Sequence, residues 1–177
     1  CEALERQNLF LQSKISAAIP SPAHGGLVLP IYSRYPLNFK DELLIAGGDD
    51  VGLGVGDSVF ADGVLVGRVD DVFSHTARVR TLFDARSRIS VRVGPHAIDA
   101  LLVGGITPRL TLIAKGDVVK AGDVVVSADS RFPYGAILGE IAGTDADGSK
   151  PFSEATVAIP YIPTLLRSVE VVSFSDQ

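Results

Sequence analysis

The sequence predicts a mainly β protein with two small tandem β-barrels preceded by an N-terminal coiled-coil helix. Three observations favour this fold class. Short apolar segments are separated throughout by Gly, Asp and Pro, a pattern typical of barrels and sandwiches. Several segments alternate with a period of two, as in Ile89, Val91 and Val93, which indicates half-buried strands. A Gly-Asp motif also occurs twice with similar neighbours.

The composition limits the functional classes to consider. The chain has 177 residues, of which 46% are hydrophobic, so we expect one domain or two small ones at roughly 150 residues per domain. The 16 Lys and Arg residues against 21 Asp and Glu give a net charge of -5. This balance argues against nucleic acid as the main partner, because phosphate neutralisation needs clustered positive charge. No apolar run reaches the roughly 20 residues that span a bilayer.

The start of the chain indicates a fragment or a processed product, because the sequence contains no Met. Its single Cys is Cys1, so no internal disulfide and no cysteine metal cluster can form. Two interpretations of Cys1 remain open. It is either a lipidated N-terminus or a truncation point inside a longer helix, with a membrane segment upstream.

Residues 1–16 form the one segment with a clear helical pattern. Leu4, Asn8, Leu11 and Ile15 follow the alternating spacing of a heptad seam, and an interior Asn favours a two-stranded register. We therefore expect a coiled coil that dimerises through these four residues. The alternative is an amphipathic helix that lies on the domain. Residues 17–26 contain two prolines and a Gly-Gly pair, which predict a linker.

The rest of the chain is interpreted as twelve short strands. They are predicted at Leu27–Leu29, Leu43–Ala46, Asp57–Phe60, Val64–Val69, Ala77–Leu82, Ile89–Val93, Ala100–Val103, Arg109–Ile113, Asp123–Ser127, Ala136–Ile141, Ala155–Ile159 and Val169–Phe174. Leu110 and Leu112 repeat the alternation of Ile89 to Val93, so both are expected on the buried face.

An internal repeat is the most informative feature of the strands. The segments 55–60 and 121–126 each contain a Gly-Asp turn that opens a strand. Each is followed by an apolar-Gly-charged-apolar segment, at 66–69 and at 138–141. Gly supplies backbone freedom at such a turn, and Asp bonds to its own main chain. The repeat predicts two similar β-units, divided as a first barrel at 27–93 and a second at 94–154.

The sequence predicts no catalytic, cofactor-binding or metal-binding residues. His24, His75 and His96 are far apart, whereas nucleophilic catalysis needs a base beside the nucleophile. The Gly-Asp-Ser triplet ending at Ser58 resembles a serine-protease turn, but the repeat has Val124 at the matching position. The acidic pairs lack the spacing of a calcium loop or a zinc site.

Arginines are concentrated between residues 68 and 92, where six of the 16 basic residues lie. Two interpretations are open. The arginines form a surface that binds an acidic protein or anionic lipid headgroups, or they lie on solvated strand faces and pair with nearby aspartates. We predict partner contacts at Arg78, Arg80 and Arg88, and at Phe132 and Tyr134 in the following Pro-Gly hairpin.

The motifs at 51–72, 74–93 and 119–127 together resemble the MreC family, the bacterial rod shape-determining proteins. The resemblance covers nearly the whole chain. It implies a non-enzymatic scaffold of the cell-elongation machinery that is anchored in the cell membrane upstream of the chain and lies on the periplasmic face. It also implies dimers through the coil, filaments, and contacts with a penicillin-binding transpeptidase and membrane components. By the same resemblance, the last strand returns to the first barrel, so that 155–177 complete it.

The alternative function is a periplasmic adaptor of an export system. The segment 116–125 resembles a half-motif of the lipoyl-like barrels in such adaptors. A second long helix would favour this interpretation, whereas the sequence predicts only the terminal one.

Overall fold

The structure is a computed structural model that describes residues 26–32, 41–145 and 151–174 of the chain. These residues form twelve strands and two short 3-10 helices. The predicted coiled-coil helix at 1–16, with Leu4, Asn8, Leu11 and Ile15, lies outside the described residues, as do residues 17–25 of the linker. Within the described ranges, no helix has the length and apolar character needed to cross a membrane.

Each of the twelve predicted strands overlaps one observed strand, so the mainly β fold class is confirmed. The strands are β1 (Leu27–Pro30), β2 (Glu42–Ala46), β3 (Ser58–Ala61), β4 (Val64–Val72), β5 (Thr76–Thr81), β6 (Arg88–Val93), β7 (Ile98–Val103), β8 (Arg109–Ala114), β9 (Val124–Ser127), β10 (Ile137–Asp145), β11 (Phe152–Ala158) and β12 (Ser168–Val172). The 3-10 helices are Asp49–Val51 and Pro163–Leu165.

The middle of the chain forms a closed six-stranded barrel, which we call the second ring. Its strands follow the order β6-β7-β8-β11-β10-β9 and return to β6, and every neighbouring pair is antiparallel. Closure leaves no free edge, so all backbone groups of these strands can be paired within the sheet.

The other six strands, which we call the first ring, follow the order β2-β5-β4-β3-β12-β1. A bridge between Ile31 and Ile45 joins β1 to β2. The backbone N–H of Tyr32 also donates a hydrogen bond to the carbonyl of Leu44 at 2.9 Å. Strand β12, the last of the described strands, thus lies between β1 and β3, so the second ring is inserted in the chain before the first ring is complete.

The two rings have the same pairing order when β12 is placed before β1. In that arrangement, β12 and β1–β5 match β6–β11 one by one, because each matched pair of neighbours is antiparallel in both rings. The predicted internal repeat is therefore one part of a larger correspondence between the two six-stranded units.

The hydrogen bonds of the two repeat segments agree closely. Val59 faces Gly67 in the β3–β4 pair, and Val125 faces Gly139 in the β9–β10 pair. In the first segment, the Val69 N–H donates to the Asp57 carbonyl at 2.8 Å, and the second segment has the same bond to Asp123 at 2.9 Å. The Gly before each Asp has a φ of +98° or +90°, a conformation that Gly adopts without strain.

The buried apolar side chains form two clusters. One fills the first ring and includes Leu43, Ile45 and Val79. The other fills the second ring, where Leu102, Leu110, Ile113 and Leu138 are fully buried. The predicted alternation of Ile89, Val91 and Val93 is confirmed, since all three are buried in the second cluster.

The two rings are joined by an apolar seam and by a parallel bridge. Phe60, Leu65, Leu82 and Val172, at the borders of first-ring strands, belong to the second ring's cluster. Val64 of β4 pairs in parallel with Ile137 of β10. The two rings are thus joined by apolar packing and by backbone pairing. These two contacts position side chains from both rings along the same seam.

The strand pairing divides the chain differently from the predicted boundaries. The prediction placed 88–93 in the first barrel and 155–177 with it, but β6 and β11 both pair within the second ring. Among the described residues 155–174, only β12 pairs with first-ring strands. Alternation identifies the buried face of a strand, but it carries no information about the neighbouring strand, which explains the difference.

The prediction for Leu112 was wrong, because this side chain is half exposed while Ile113 is fully buried. Leu112 has a φ of +62°, and the β8–β11 register shifts there by one residue between Ser153 and Ala155. Such a bulge places two residues of one strand opposite one of the other and reverses the alternation beyond it.

Candidate interaction surfaces

The predicted contact residues Arg78 and Arg80 lie on the outer face of β5, between buried Ala77, Val79 and Thr81. Both are paired with carboxylates. The Arg78 guanidinium contacts Asp71 and lies 3.8 Å from Glu42. Arg80 Nη2 donates to Asp70 Oδ2 at 2.6 Å, and its Nε lies 3.4 Å from Asp84 Oδ2. The paired-aspartate interpretation of the arginine cluster thus applies to these two residues.

Arg88 differs, because it has no carboxylate partner among the described residues. Its Nη1 donates to the backbone carbonyls of Ala85 and Ser87 at 2.7 and 2.9 Å. Arg68 on β4 has neither an ion pair nor a hydrogen bond from its side chain within the same residues, and it faces Arg80 across the β4–β5 pair. Like charges in opposed positions of a sheet are destabilising. The Arg68 charge therefore adds repulsion between β4 and β5 that no described carboxylate bonded to Arg68 offsets.

Two Asp-x-Arg turns hold further arginines at the seam. In the first, the buried Asp84 carboxylate accepts bonds from the backbone N–H of Arg86 at 2.7 Å and from its Nε and Nη2 at 3.1 and 2.9 Å. The guanidinium of Arg86 is the main reason why the pKa of Asp84 lies below its usual value. The ion pair therefore fixes the conformation of the β5–β6 connection.

The second turn repeats this geometry in the β9–β10 connection. The Asp129 carboxylate accepts bonds from the backbone N–H, Nε and Nη2 of Arg131 at 3.0, 2.9 and 2.7 Å. Hydrogen bonding to the Arg131 guanidinium lowers the pKa of Asp129 to about 2. Arg131 Nη2 also donates to the Arg88 carbonyl at 2.5 Å, so the turn is tied to β6.

These arginines converge on one cleft of about 220 Å³ at the seam, which we call the arginine cleft. It is lined by five arginines, two from the first ring, two from the β5–β6 connection and the start of β6, and one from the β9–β10 connection: Arg68, Arg80, Arg86, Arg88 and Arg131. Arg131 was not predicted from the sequence. The Asp-x-Arg pattern shared by 84–86 and 129–131 is the signal that could have found it.

Of the two predicted contact residues in the hairpin, Phe132 is buried and Tyr134 is exposed. Phe132 is 6% exposed and belongs to the second ring's core. The prediction that it is a surface contact residue was therefore wrong. A Pro-Gly turn indicates a surface loop, but it does not show which of its side chains turns inward. Tyr134 is exposed, and its ring lies 5.7 Å from the Arg92 guanidinium, which also donates to its hydroxyl.

A second surface is apolar. Ile106 and Ile162 are both largely exposed and line a groove of about 210 Å³ that also contains Phe83, Pro108 and Tyr161. The Tyr161 hydroxyl donates to the Leu65 carbonyl at 3.1 Å, and its ring meets that of Phe83 edge-on at 6.2 Å. The groove therefore has a rigid wall at Tyr161.

The residues weighed for catalysis do not form a site in the described chain. Ser58 is fully buried within β3. His75 lies on the surface with its Nδ1 2.8 Å from Asp50 Oδ2, and it lowers the pKa of that carboxyl. Across residues 26–32, 41–145 and 151–174, no three His, Cys, Asp or Glu side chains are placed to hold a metal ion. The arrangement presents surfaces for binding.

Comparisons with known proteins agree on one family. The model of the rod shape-determining protein MreC, barrel core, matches residues 31–173. A solved structure named MreC is 27% identical with a TM-score of 0.76 and covers 96% of this chain and 99% of its own. MreC from Pseudomonas aeruginosa is 28% identical with a TM-score of 0.73, over 82% of this chain and 97% of its own.

A more distant structure is a complex between a penicillin-binding protein (PBP2) and MreC from Helicobacter pylori. Its matched chain is 13% identical with a TM-score of 0.62, over 82% of this chain and 97% of its own. At this identity the likeness concerns the fold alone. No curated protein sequence matches the chain.

Proposed function

The chain belongs to the MreC family of rod shape-determining proteins, and from this premise we propose that it is a scaffold of the bacterial cell-elongation machinery. The family is one of structural, shape-determining proteins, so the chain is not an enzyme. The observation that carries the proposal is the family match over residues 31–173, which covers the second ring, the seam and every strand of the first ring except β1. In this role the chain contributes shape and contact surface to peptidoglycan synthesis.

We propose a penicillin-binding transpeptidase as the main partner. Support comes from the Helicobacter pylori relative, whose solved complex contains a penicillin-binding protein. Membrane components of the same machinery are the further partners that the family suggests. The two packed rings suit this role, because a rigid body holds its surface residues in fixed relative positions.

We further propose that the chain acts in the periplasm, from an anchor in the cell membrane upstream of residue 1. Support comes from a structurally similar protein, the major periplasmic domain from the cell shape-determining filament MreC. The heptad at 1–16 supports self-association as a dimer through Leu4, Asn8, Leu11 and Ile15, with filaments as a further assembly. In this assembly, both rings are barrels that follow a dimeric coiled coil formed by residues 1–16.

The transpeptidase contact is proposed at Arg78, Arg80, Arg88 and Tyr134. Arg88 and Tyr134 are the strongest candidates of this set, because both are exposed and neither is held by a carboxylate among the described residues. Both are connected to β6, which Arg88 begins, since Tyr134 packs on Arg92 of this strand and Arg131 bonds to the Arg88 backbone. Exposed Tyr and Arg are residue types that often dominate binding energy.

The test measures capture of the transpeptidase's extracytoplasmic domain from the same organism by the purified chain. We expect the pair Arg88→Glu and Tyr134→Ser to weaken binding about 10-fold or more, as expected for loss of two contact residues. The matched control is Tyr32→Ser with Arg109→Glu, which changes an exposed tyrosine after β1 and an exposed arginine at the start of β8 and should leave the affinity unchanged. If the unmodified chain does not bind the transpeptidase, the partner proposal is wrong.

The export-adaptor alternative has no support from the described residues. The segment 116–125, which resembles the lipoyl half-motif, forms the β8–β9 connection and the start of β9. This connection matches the segment before β3 in the first ring, so the ring repeat accounts for it. The helices described are the two 3-10 turns, and the second long helix that would favour an adaptor is not among them.

A further inference from the structure

The arginine cleft carries an excess of positive charge in a chain whose net charge is -5. Five guanidinium groups line or border it, and three carboxylates pair with them, those of Asp70, Asp84 and Asp129. Two positive charges therefore remain without a carboxylate within the described chain. They belong to Arg68, which lies opposite Arg80 on the neighbouring strand, and to Arg88.

A donor without a partner also lies beside the cleft. The Nε of Arg80 is buried and has no hydrogen-bond acceptor among the described residues; Asp84 Oδ2, 3.4 Å away, forms an ion pair with it but not a hydrogen bond. Buried donors are nearly always satisfied in folded proteins. An anion in the cleft would accept from this group and would also offset the repulsion between Arg68 and Arg80.

The cleft is held in shape before any ligand enters. Arg86 and Arg131 are fixed by the two Asp-x-Arg turns, each through one backbone and two side-chain hydrogen bonds. Arg131 also bonds to the backbone of β6. Because these guanidinium groups are already ordered, an arriving anion meets a lower entropic penalty than it would among free side chains.

From these observations, the geometry points to a carboxylate-binding site in the arginine cleft that takes one or two acidic side chains of a protein partner. A carboxylate fits the planar guanidinium fork through paired hydrogen bonds, and the two Asp-x-Arg turns show this pairing with the same arginines. A volume of about 220 Å³ admits the ends of side chains, so the occupant is an acidic segment that lies across the seam. This inference rests on the proposed scaffold role.

The test uses a fluorescein-labelled hexaglutamate peptide and measures fluorescence anisotropy at low salt. We expect the double variant Arg68→Gln with Arg88→Gln to bind the peptide about 10-fold more weakly than the unmodified chain, since hydrogen bonds between charged groups are lost. The control Arg109→Gln with Lys120→Gln removes the same two positive charges from exposed positions outside the cleft and should change binding by less than about twofold. Equal weakening by this control would overturn the site, because the effect would then be one of net charge.

Nuclear magnetic resonance provides a second readout that does not depend on a variant's folding. Addition of hexaglutamate to the unmodified chain should shift the Nε–Hε signal of Arg80, which the peptide carboxylate would newly bond. An unchanged Arg80 signal at saturating peptide would overturn the proposal. So would displacement of the peptide by inorganic phosphate at concentrations where acetate has no effect, because the cleft would then be a phosphate site.

The two proposals fail in different ways. Equal peptide binding by the unmodified chain and by the double variant rejects the cleft, whatever the transpeptidase does. Peptide binding that depends on Arg68 and Arg88 in a chain that does not capture the transpeptidase retains the cleft and rejects that enzyme as the partner.

Discussion

The Asp57 carboxylate accepts a hydrogen bond at 2.9 Å from the backbone N–H of Phe174, which lies 117 residues further along the chain. Its other oxygen accepts from Gly54 N–H at 2.8 Å. This one buried side chain therefore connects the turn before β3 to the residues just after β12. The matching Asp123 accepts the local bond, from Lys120 N–H at 2.8 Å.

Asp57→Ala should therefore destabilise the chain more than Asp123→Ala. We expect a loss of about 2–3 kcal/mol in the free energy of unfolding for Asp57→Ala, because two partly buried backbone N–H groups lose their acceptor, and about 1 kcal/mol for Asp123→Ala, where one exposed bond is lost. Urea unfolding followed by circular dichroism measures both. Equal losses would mean that the bond to Phe174 contributes nothing to stability.

Gly67→Ala should lower the free energy of unfolding by at least about 2 kcal/mol. A Cβ at this position would lie 1.9 Å from the Arg80 carbonyl oxygen of the neighbouring strand, so β4 and β5 would have to separate. Gly143→Ala is the control, because a Cβ there meets nothing within 4 Å, and its effect should be within about 0.5 kcal/mol. Thermal unfolding of the two variants checks the difference, and similar melting temperatures would contradict it.

The Asp129–Arg131 pair should stabilise the chain at neutral pH and lose this effect in acid. The pKa of Asp129 is lowered to about 2, so its contribution is fully present above the unfolded pKa of about 4 and is lost as the pH falls through 2. Asp129→Asn should cost about 2 kcal/mol at pH 7, and the difference from the unmodified chain should shrink toward pH 2.

Urea unfolding at several pH values measures this effect. Asp99→Asn is the control, because Asp99 pairs with Arg92 while its side chain is 82% exposed, and exposed pairs contribute little. A difference for Asp129→Asn that stays constant with pH would show that the loss comes from packing and not from the charge.

Tyr161→Phe should destabilise the chain by about 1 kcal/mol at neutral pH, because the bond from the hydroxyl to the Leu65 carbonyl is lost. Burial raises the pKa of Tyr161 above its usual value of 10.0. A raised folded pKa means that the tyrosine stabilises fully below about pH 10 and loses this contribution as the pH rises further. The unmodified chain should thus approach the Phe variant in stability above about pH 10. A constant gap in unfolding measurements across that range would contradict this account.

The sequence predicted local structure well because local structure depends on local patterns. All twelve strands follow from alternation and from Gly, Asp and Pro at their ends. The repeat predicted the matched turns at Asp57 and Asp123, since a Gly-Asp turn is encoded by adjacent residues. Leu112 is exposed, although alternation predicted it on the buried face, because a bulge depends on the register of the neighbouring strand.

The partners of strands and side chains could not be predicted in the same way. The pairing of β6 with β9 and the packing of Phe132 into the second ring join residues that are distant in sequence. The arginine cleft shows both cases. The arginines between 68 and 92 stand out in the sequence as a cluster, but Arg131 does not, because it reaches the cleft only through the bond between the β9–β10 connection and β6.

The position of β12 in the first ring has a consequence for the order in which the two rings can close as the chain emerges, N-terminal end first, into the compartment where it folds. The second ring has all of its strands once Ala158 has emerged, whereas the first ring waits for Val172. Strands β1 and β3 are made early. Each has one edge that later pairs with β12, and this edge stays uncovered until β12 is made. The unit that is translated first is thus completed last, and the edges of β1 and β3 stay open to incorrect pairing until β12 arrives.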